Sequence, residues 1–186
     1  MALNLKRTPA DKWFSDCVRI RSNWHCENCQ IYLEHDKGRL HCSHFVGRGK
    51  LSTRVHPTNA FAHCHKCHKE LGGDRWGGGN VAEFTHHFDS RRGTFNRHFV
   101  QRLAKMPYRY YDSFISDMSK HYREEFRRIE SLRAEGSTKY EHFKMYDGAI
   151  ELNATMKQIK KEIIDQYNED GTLKKQPVIC SRFHGF

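Results

Sequence analysis

Two short cysteine pairs, Cys26-Glu27-Asn28-Cys29 and Cys64-His65-Lys66-Cys67, stand 34 residues apart, with 30–63 between them. Nothing else in the chain restricts its fold as much. Each pair delivers two thiolates from one tight turn or helix start, and four thiolates close a tetrahedral zinc site. A closed site has no open coordination position, so its expected role is structural. The composition makes such a staple necessary. The chain has 186 residues, only 37% of them hydrophobic, and a mean hydropathy of −0.87, which leaves little material for a large core. Zinc-finger peptides gain about 10–16 kcal/mol from their metal at neutral pH. The cysteine count is odd, at seven, and the spacing favours a metal over a disulfide framework. The opening stretch MALNLKRTPADKW has no apolar run of signal-peptide type, so the expected location is cytoplasmic. No segment approaches the roughly 18–20 apolar residues of a membrane span.

Charge points to a partner. The formal net charge is +10 and the pI about 9.3. Residues 1–93 carry 15 Lys and Arg against 9 Asp and Glu, and residues 94–186 carry 17 against 13, so the excess is spread along the chain. No strongly basic amphipathic segment stands out, which favours nucleic acid over a membrane surface as the polyanion. The chemistry is less evenly divided. Six of the seven cysteines lie before residue 68, and beyond residue 94 the ligand-type residues thin out and the pattern turns helical. The expected division is a zinc-containing domain over 1–105 and a helical extension with a tail over 106–186.

The stretch His41–Gly73, HCSHFVGRGKLSTRVHPTNAFAHCHKCHKELGG, holds six of the fourteen histidines and three of the cysteines. One metal cannot use them all. Fourteen residues separate His44 from Asn59 and eight separate Asn59 from His68. That spacing resembles the HNH, or ββα-metal, nuclease motif: a His at a strand end, an Asn in the following turn, a His or Asn on a helix. Between the first two lies GRGKLSTR, a loop suited to approaching phosphates. The segments DKWFSDCVRIRSNWHCENC, CSHFVGRGKLSTRVHPTN and AHCHKCHKELGG follow one another in order. Together they make residues 11 to 105 resemble the bacteriophage NinG/Rap recombination nuclease family. Residues beyond about 110 have no counterpart in that resemblance.

The resemblance implies a metal-dependent DNA endonuclease, a phage protein acting inside its host on branched recombination intermediates such as Holliday junctions. It implies a treble-clef-like core with Cys26, Cys29, Cys64 and Cys67 on a structural zinc. His44 becomes the general base, a task suited to an imidazole at neutral pH. Asn59 fixes either the imidazole orientation or the local turn. His68 holds a catalytic Mg²⁺ or Mn²⁺. Arg54 is the expected phosphate clamp, with Arg48 and Lys50 as further DNA contacts. Two departures stand out. The family usually has Asn where this chain has His68, and Ser43 occupies the position before the base where many HNH enzymes carry an Asp or His ligand. His41, His63 and His65 are expected on the surface or facing nucleic acid.

Helices frame this region. In ADKWFSDCVRIRSNW, Trp13, Phe14, Cys17 and Val18 recur at helical spacing. Farther on, Tyr111, Ile115, Met118, Tyr122, Phe126 and Ile129 form one apolar stripe, and a last helix is expected from about Ala149 to Tyr167. Glycines 136, 148 and 171 punctuate them. The helical pair could pack on the nuclease core, clamp DNA, or form a homodimer whose C2 symmetry would suit a junction cutter. The fold expected is α+β: a zinc-stapled ββα-metal core with an N-terminal helix and a C-terminal helical extension. A non-catalytic zinc-dependent DNA-binding module and a sequence-specific homing-type HNH enzyme are the competing functions.

Overall fold

Helix α1, Pro9–Arg21, starts where the sequence supplies every element of a helix N-terminus. Thr8 Oγ1 accepts from the Asp11 amide, the Asp11 carboxylate accepts from the Thr8 amide, and Pro9 takes the first helical position. The computed structural model describes residues 6–72, 79–106, 112–147 and 150–166. Tyr111, Gly148, Ala149, Tyr167, Gly171 and Cys180 lie outside them. After α1 the chain turns through Asn23 and Trp24, both at positive φ, into the first cysteine turn. A 3-10 segment, Glu34–Arg39, delivers strand β1, Leu40–His44. The short helix α2, Leu51–Arg54, and a 3-10 turn, Pro57–Asn59, lead to β2, Ala60–Cys64, which runs directly into helix α3, His65–Gly72. Helices α4, Val81–Arg92, α5, Thr94–Leu103, α6, Asp112–Ala134, and α7, Ile150–Ile164, complete the described chain. The architecture is α+β, as the sequence implies.

β1 and β2 are antiparallel, with Leu40 opposite Cys64, His41 opposite His63, Ser43 opposite Phe61 and His44 opposite Ala60. Strand alternation divides their side chains between two cores. Leu40, Ala60 and Ala62 join Phe14, Cys17 and Val18 of α1 and Met118, Tyr122 and Ile129 of α6. Phe61, on the opposite face, joins Leu71 of α3, Phe84 and Phe88 of α4, Phe99 and Leu103 of α5, and Ile159 and Ile163 of α7. Cys17 is the buried apolar residue that its helical position suggests.

The apolar stripe of α6 is therefore used within the chain. Helix α6 lies along α1, its Tyr122 ring edge-on to Phe14 at 5.3 Å. Its Arg133 donates to the carbonyls of Ile20 and Arg21 at 3.0 and 2.9 Å. Those carbonyls end α1; Ile20 O also accepts from the Asn23 amide and Arg21 O from the Glu141 amide, and Arg133 adds a charged donor to the end of the helix that α6 packs against. Beyond residue 105, α6 packs into the first of these cores and α7 into the second.

Candidate functional site

The four thiols come together. The Sγ atoms of Cys26, Cys29, Cys64 and Cys67 all lie within 4.8 Å of one another, and Cys29 and Cys64 are 3.7 Å apart. Zinc–sulfur bonds of about 2.3 Å in a tetrahedron place sulfurs about 3.8 Å apart, so the cluster could hold a metal ion such as zinc. Two elements build it. Cys26 and Cys29 sit in a turn closed by bonds from Gln30 N to Cys26 O and from Cys26 N to Ile31 O, both 2.9 Å. Cys64 ends β2 and Cys67 lies in the first turn of α3. Asn28 Nδ2 at 3.4 Å donates to Cys67 Sγ, and the Cys67 amide at 3.5 Å donates to Cys64 Sγ. Such donors suit thiolate ligands.

A buried carboxylate fixes this turn to the sheet. Glu27, inside the first pair, accepts from the Arg21 guanidinium at 2.9 Å, from Arg92 at 3.1 Å and from the Ala62 amide at 2.9 Å. Burial pushes its pKa up, but Arg21 and Arg92 outweigh that and hold it below the ordinary carboxylate value. Arg21 and Arg92 are partners of this turn that the sequence does not reveal. Their only signal is that they are charged.

His44 projects from the end of β1 toward α1, its ring 6.1 Å from that of Phe14. Its Nε2 lies 2.9 Å from the Arg54 carbonyl oxygen. A carbonyl can only accept, so Nε2 carries the proton and Nδ1 keeps its lone pair. Burial lowers the His44 pKa to about 4; Arg48 adds to this, and the Arg54 carbonyl and Asp11 oppose it. The ring is neutral at pH 7, as a base must be.

Asn59 is wholly buried and does not touch the imidazole. Its Oδ1 accepts from the Val46 amide at 2.8 Å, while Nδ2 donates to the carbonyls of Val46 and Thr53 at 2.9 and 3.0 Å. Of its two expected roles, it takes the local turn: it fastens the 46–53 loop. Tyr122 Oη donates to Val55 O at 2.7 Å. Three successive carbonyls, of Thr53, Arg54 and Val55, are thus held by Asn59, His44 and Tyr122, from three different elements.

Arg54 requires a correction. Expected as a phosphate clamp, its side chain is buried and grips both carboxylate oxygens of Asp11, at 2.7 and 2.5 Å. Nη2 also donates to the Lys6 carbonyl at 2.9 Å. Moving this guanidinium to a phosphate would leave Asp11 charged and unpaired in the interior, a loss of about 3–5 kcal/mol.

A cleft of about 670 Å³ opens between α1, β1 and the Gly47–Arg48 loop, and both His44 and His68 line it. Arg48 lines it together with Arg7, Arg19 and Lys37, which the motif does not single out, and Arg19 is ion-paired with Asp16 at 2.6 Å. Asp11, the carboxylate on its wall, is neutralised by Arg54. Lys50 is exposed and stands outside the cleft lining. His68 stacks on His41 with centroids 5.1 Å apart, and burial, then His41 and His65, lower its pKa. His68 Nδ1 and Ser43 Oγ are buried and have no hydrogen-bond partner among the described residues. Both border one small space over Gly72, where an added methyl group would lie 3.4 Å from Ser43 Oγ and 3.6 Å from His68 Nδ1. One nitrogen and one hydroxyl oxygen form a sparse donor set for Mg²⁺ or Mn²⁺, and water and phosphate would supply the remaining ligands.

His63 is a second correction. It is completely buried, not on the surface, and its Nε2 is 3.2 Å from His87 Nε2 of α4. A larger cleft, about 850 Å³, is lined by His87, His86 and Glu83, but it contains neither His44 nor His68. Among the described residues no helix is long and apolar enough to cross a membrane. Comparison with protein-family models, with curated proteins and with solved structures finds no match to this chain.

Proposed function

We propose that this chain is a divalent-metal-dependent DNA endonuclease of the HNH, ββα-metal kind, with a zinc-stapled, treble-clef-like core. The observation that carries the reading is the seating of His44: a neutral imidazole, proton fixed on Nε2, in a cleft rimmed by cations and shared with His68. The Nδ1 lone pair accepts a proton from the attacking water. Arg7, Lys37 and Arg48 neutralise the phosphates on either side of the scissile bond, while Arg19 is held by Asp16 at 2.6 Å. His68, with Ser43 beside it, would hold a Mg²⁺ or Mn²⁺ ion, which would supply positive charge to the scissile phosphate and the leaving oxygen. Selectivity for branched DNA rests on the motif resemblance to the NinG/Rap nucleases, and a homodimer would place two such sites on a four-way junction.

The same basic cleft fits a second function, a zinc-dependent DNA-binding module without catalysis. Matched linear, nicked, flapped and four-way DNAs, incubated with the protein and Mg²⁺ or Mn²⁺, separate the two. Cleavage of the branched substrates by the wild type, with His44→Ala binding DNA but leaving it intact, is the result expected. A wild type that shifts these DNAs on a gel and cuts none of them would leave the binding module as the function.

A further inference from the structure

We infer that Asp11 and Tyr122 are positioning residues for the base: from two helices far apart in sequence, they lock the turn whose Arg54 carbonyl fixes the His44 tautomer. The inference rests on the reading of His44 as that base. Helix α2 is four residues long and ends at Arg54, and the Arg54 carbonyl takes a donor from outside the helix, His44 Nε2. A single turn of helix does not hold its own geometry. What holds this one comes from elsewhere. On one side the Arg54 side chain is gripped by Asp11, itself fixed by the capping box at the start of α1. On the other, Tyr122 of α6 bonds the carbonyl of the next residue, Val55, at 2.7 Å. Both attachments flank one peptide, and that peptide contains the oxygen 2.9 Å from His44 Nε2.

An imidazole without that acceptor can rotate or place its proton on Nδ1, the nitrogen that must stay unprotonated to act on water. Loss of either attachment should therefore weaken catalysis with no contact to DNA removed.

The test uses Asp11→Asn and Tyr122→Phe in the full-length, zinc-loaded protein. Histidine ¹⁵N shifts report the tautomer, and the His44 signal is the one missing from His44→Gln. In the wild type the shifts should show Nε2–H. In each variant they should move toward a mixture of tautomers, and kcat on the preferred DNA should fall about 10- to 100-fold with KM nearly unchanged. If Asp11→Asn does not fold, Tyr122→Phe, which deletes one hydroxyl, decides alone. Folded variants with wild-type His44 shifts and wild-type kcat would overturn the inference. A tautomer change in a protein whose wild type cuts no DNA would uphold the positioning and reject the endonuclease.

Discussion

His68 shows how one residue can be set apart from its neighbour by geometry. Cys67 and His68 are adjacent in α3, so their side chains diverge by about 100°. Cys67 turns to the cysteine cluster, and His68 turns to His41, Ser43 and the cleft. His68→Ala should lose DNA cleavage while keeping its zinc and its melting temperature, and His68→Asn should recover part of the rate, since Asn restores a ligand. Metal analysis and a cleavage assay on the purified variants check both. Loss of zinc from His68→Ala would make the residue part of the scaffold. That His44 ends a strand, Asn59 closes a turn and His68 sits on a helix is legible in their local spacing. Arg54 was misread for a physical reason. A sequence shows a charge but not its burial, and the carboxylate that claims Arg54 lies 43 residues upstream. His63 was misread likewise, because its partner His87 lies on a helix that packs across β2 only in three dimensions.

At the scale of elements, periodicity found the helices and left their partners open. The stripe Ile115, Met118, Tyr122, Phe126 and Ile129 marks one face of α6, but packing on the core, clamping of DNA and dimerisation would all use the same stripe. The choice is made by α1, whose Phe14, Cys17 and Val18 offer a matching face, and by Arg133, which caps α1. Ile129 is fully buried in this seam. Ile129→Ala should destabilise the protein by about 2–5 kcal/mol, the range for a truncated core aliphatic. Denaturant unfolding measures it; a loss under 1 kcal/mol would mean that α6 is only loosely attached. The two-stranded sheet was legible for the opposite reason. It is short, but the motif places His44 at the end of its first strand, while the bounds of β2 come from the structure.

For the whole molecule, the four-cysteine cluster and the buried histidines should link stability to metal and to pH. The purified protein should carry about one zinc per chain, and a chelator or Cys67→Ser should lower the melting temperature and broaden the transition, because binding energy at such a site is folding energy. Elemental analysis and calorimetry test this, and a zinc-free chain that melts like the loaded one would refute it. Burial holds His44 and His56 at a pKa of about 4 and His63 at about 3. In the unfolded chain each returns to about 6.5. Below that pH the unfolded chain binds more protons, so stability is complete above pH 6.5 and is lost as pH falls toward 4. His56→Asn, which keeps an acceptor for the Thr58 amide, should flatten the fall of melting temperature over that window. An unchanged slope would mean that His56 titrates alike in both states. The seam between α1 and α6 also has a consequence in time. Arg133 follows Ile20 by 113 residues. A ribosome adding about 5–20 residues per second needs on the order of ten seconds to cover that distance. Between Cys67 and Tyr122 the nascent chain has all four clustered cysteines, yet has neither the tyrosine that steadies the Arg54 turn nor the helix that covers Phe14. In the endonuclease reading, a half-translated copy lacks the attachment that seats its base.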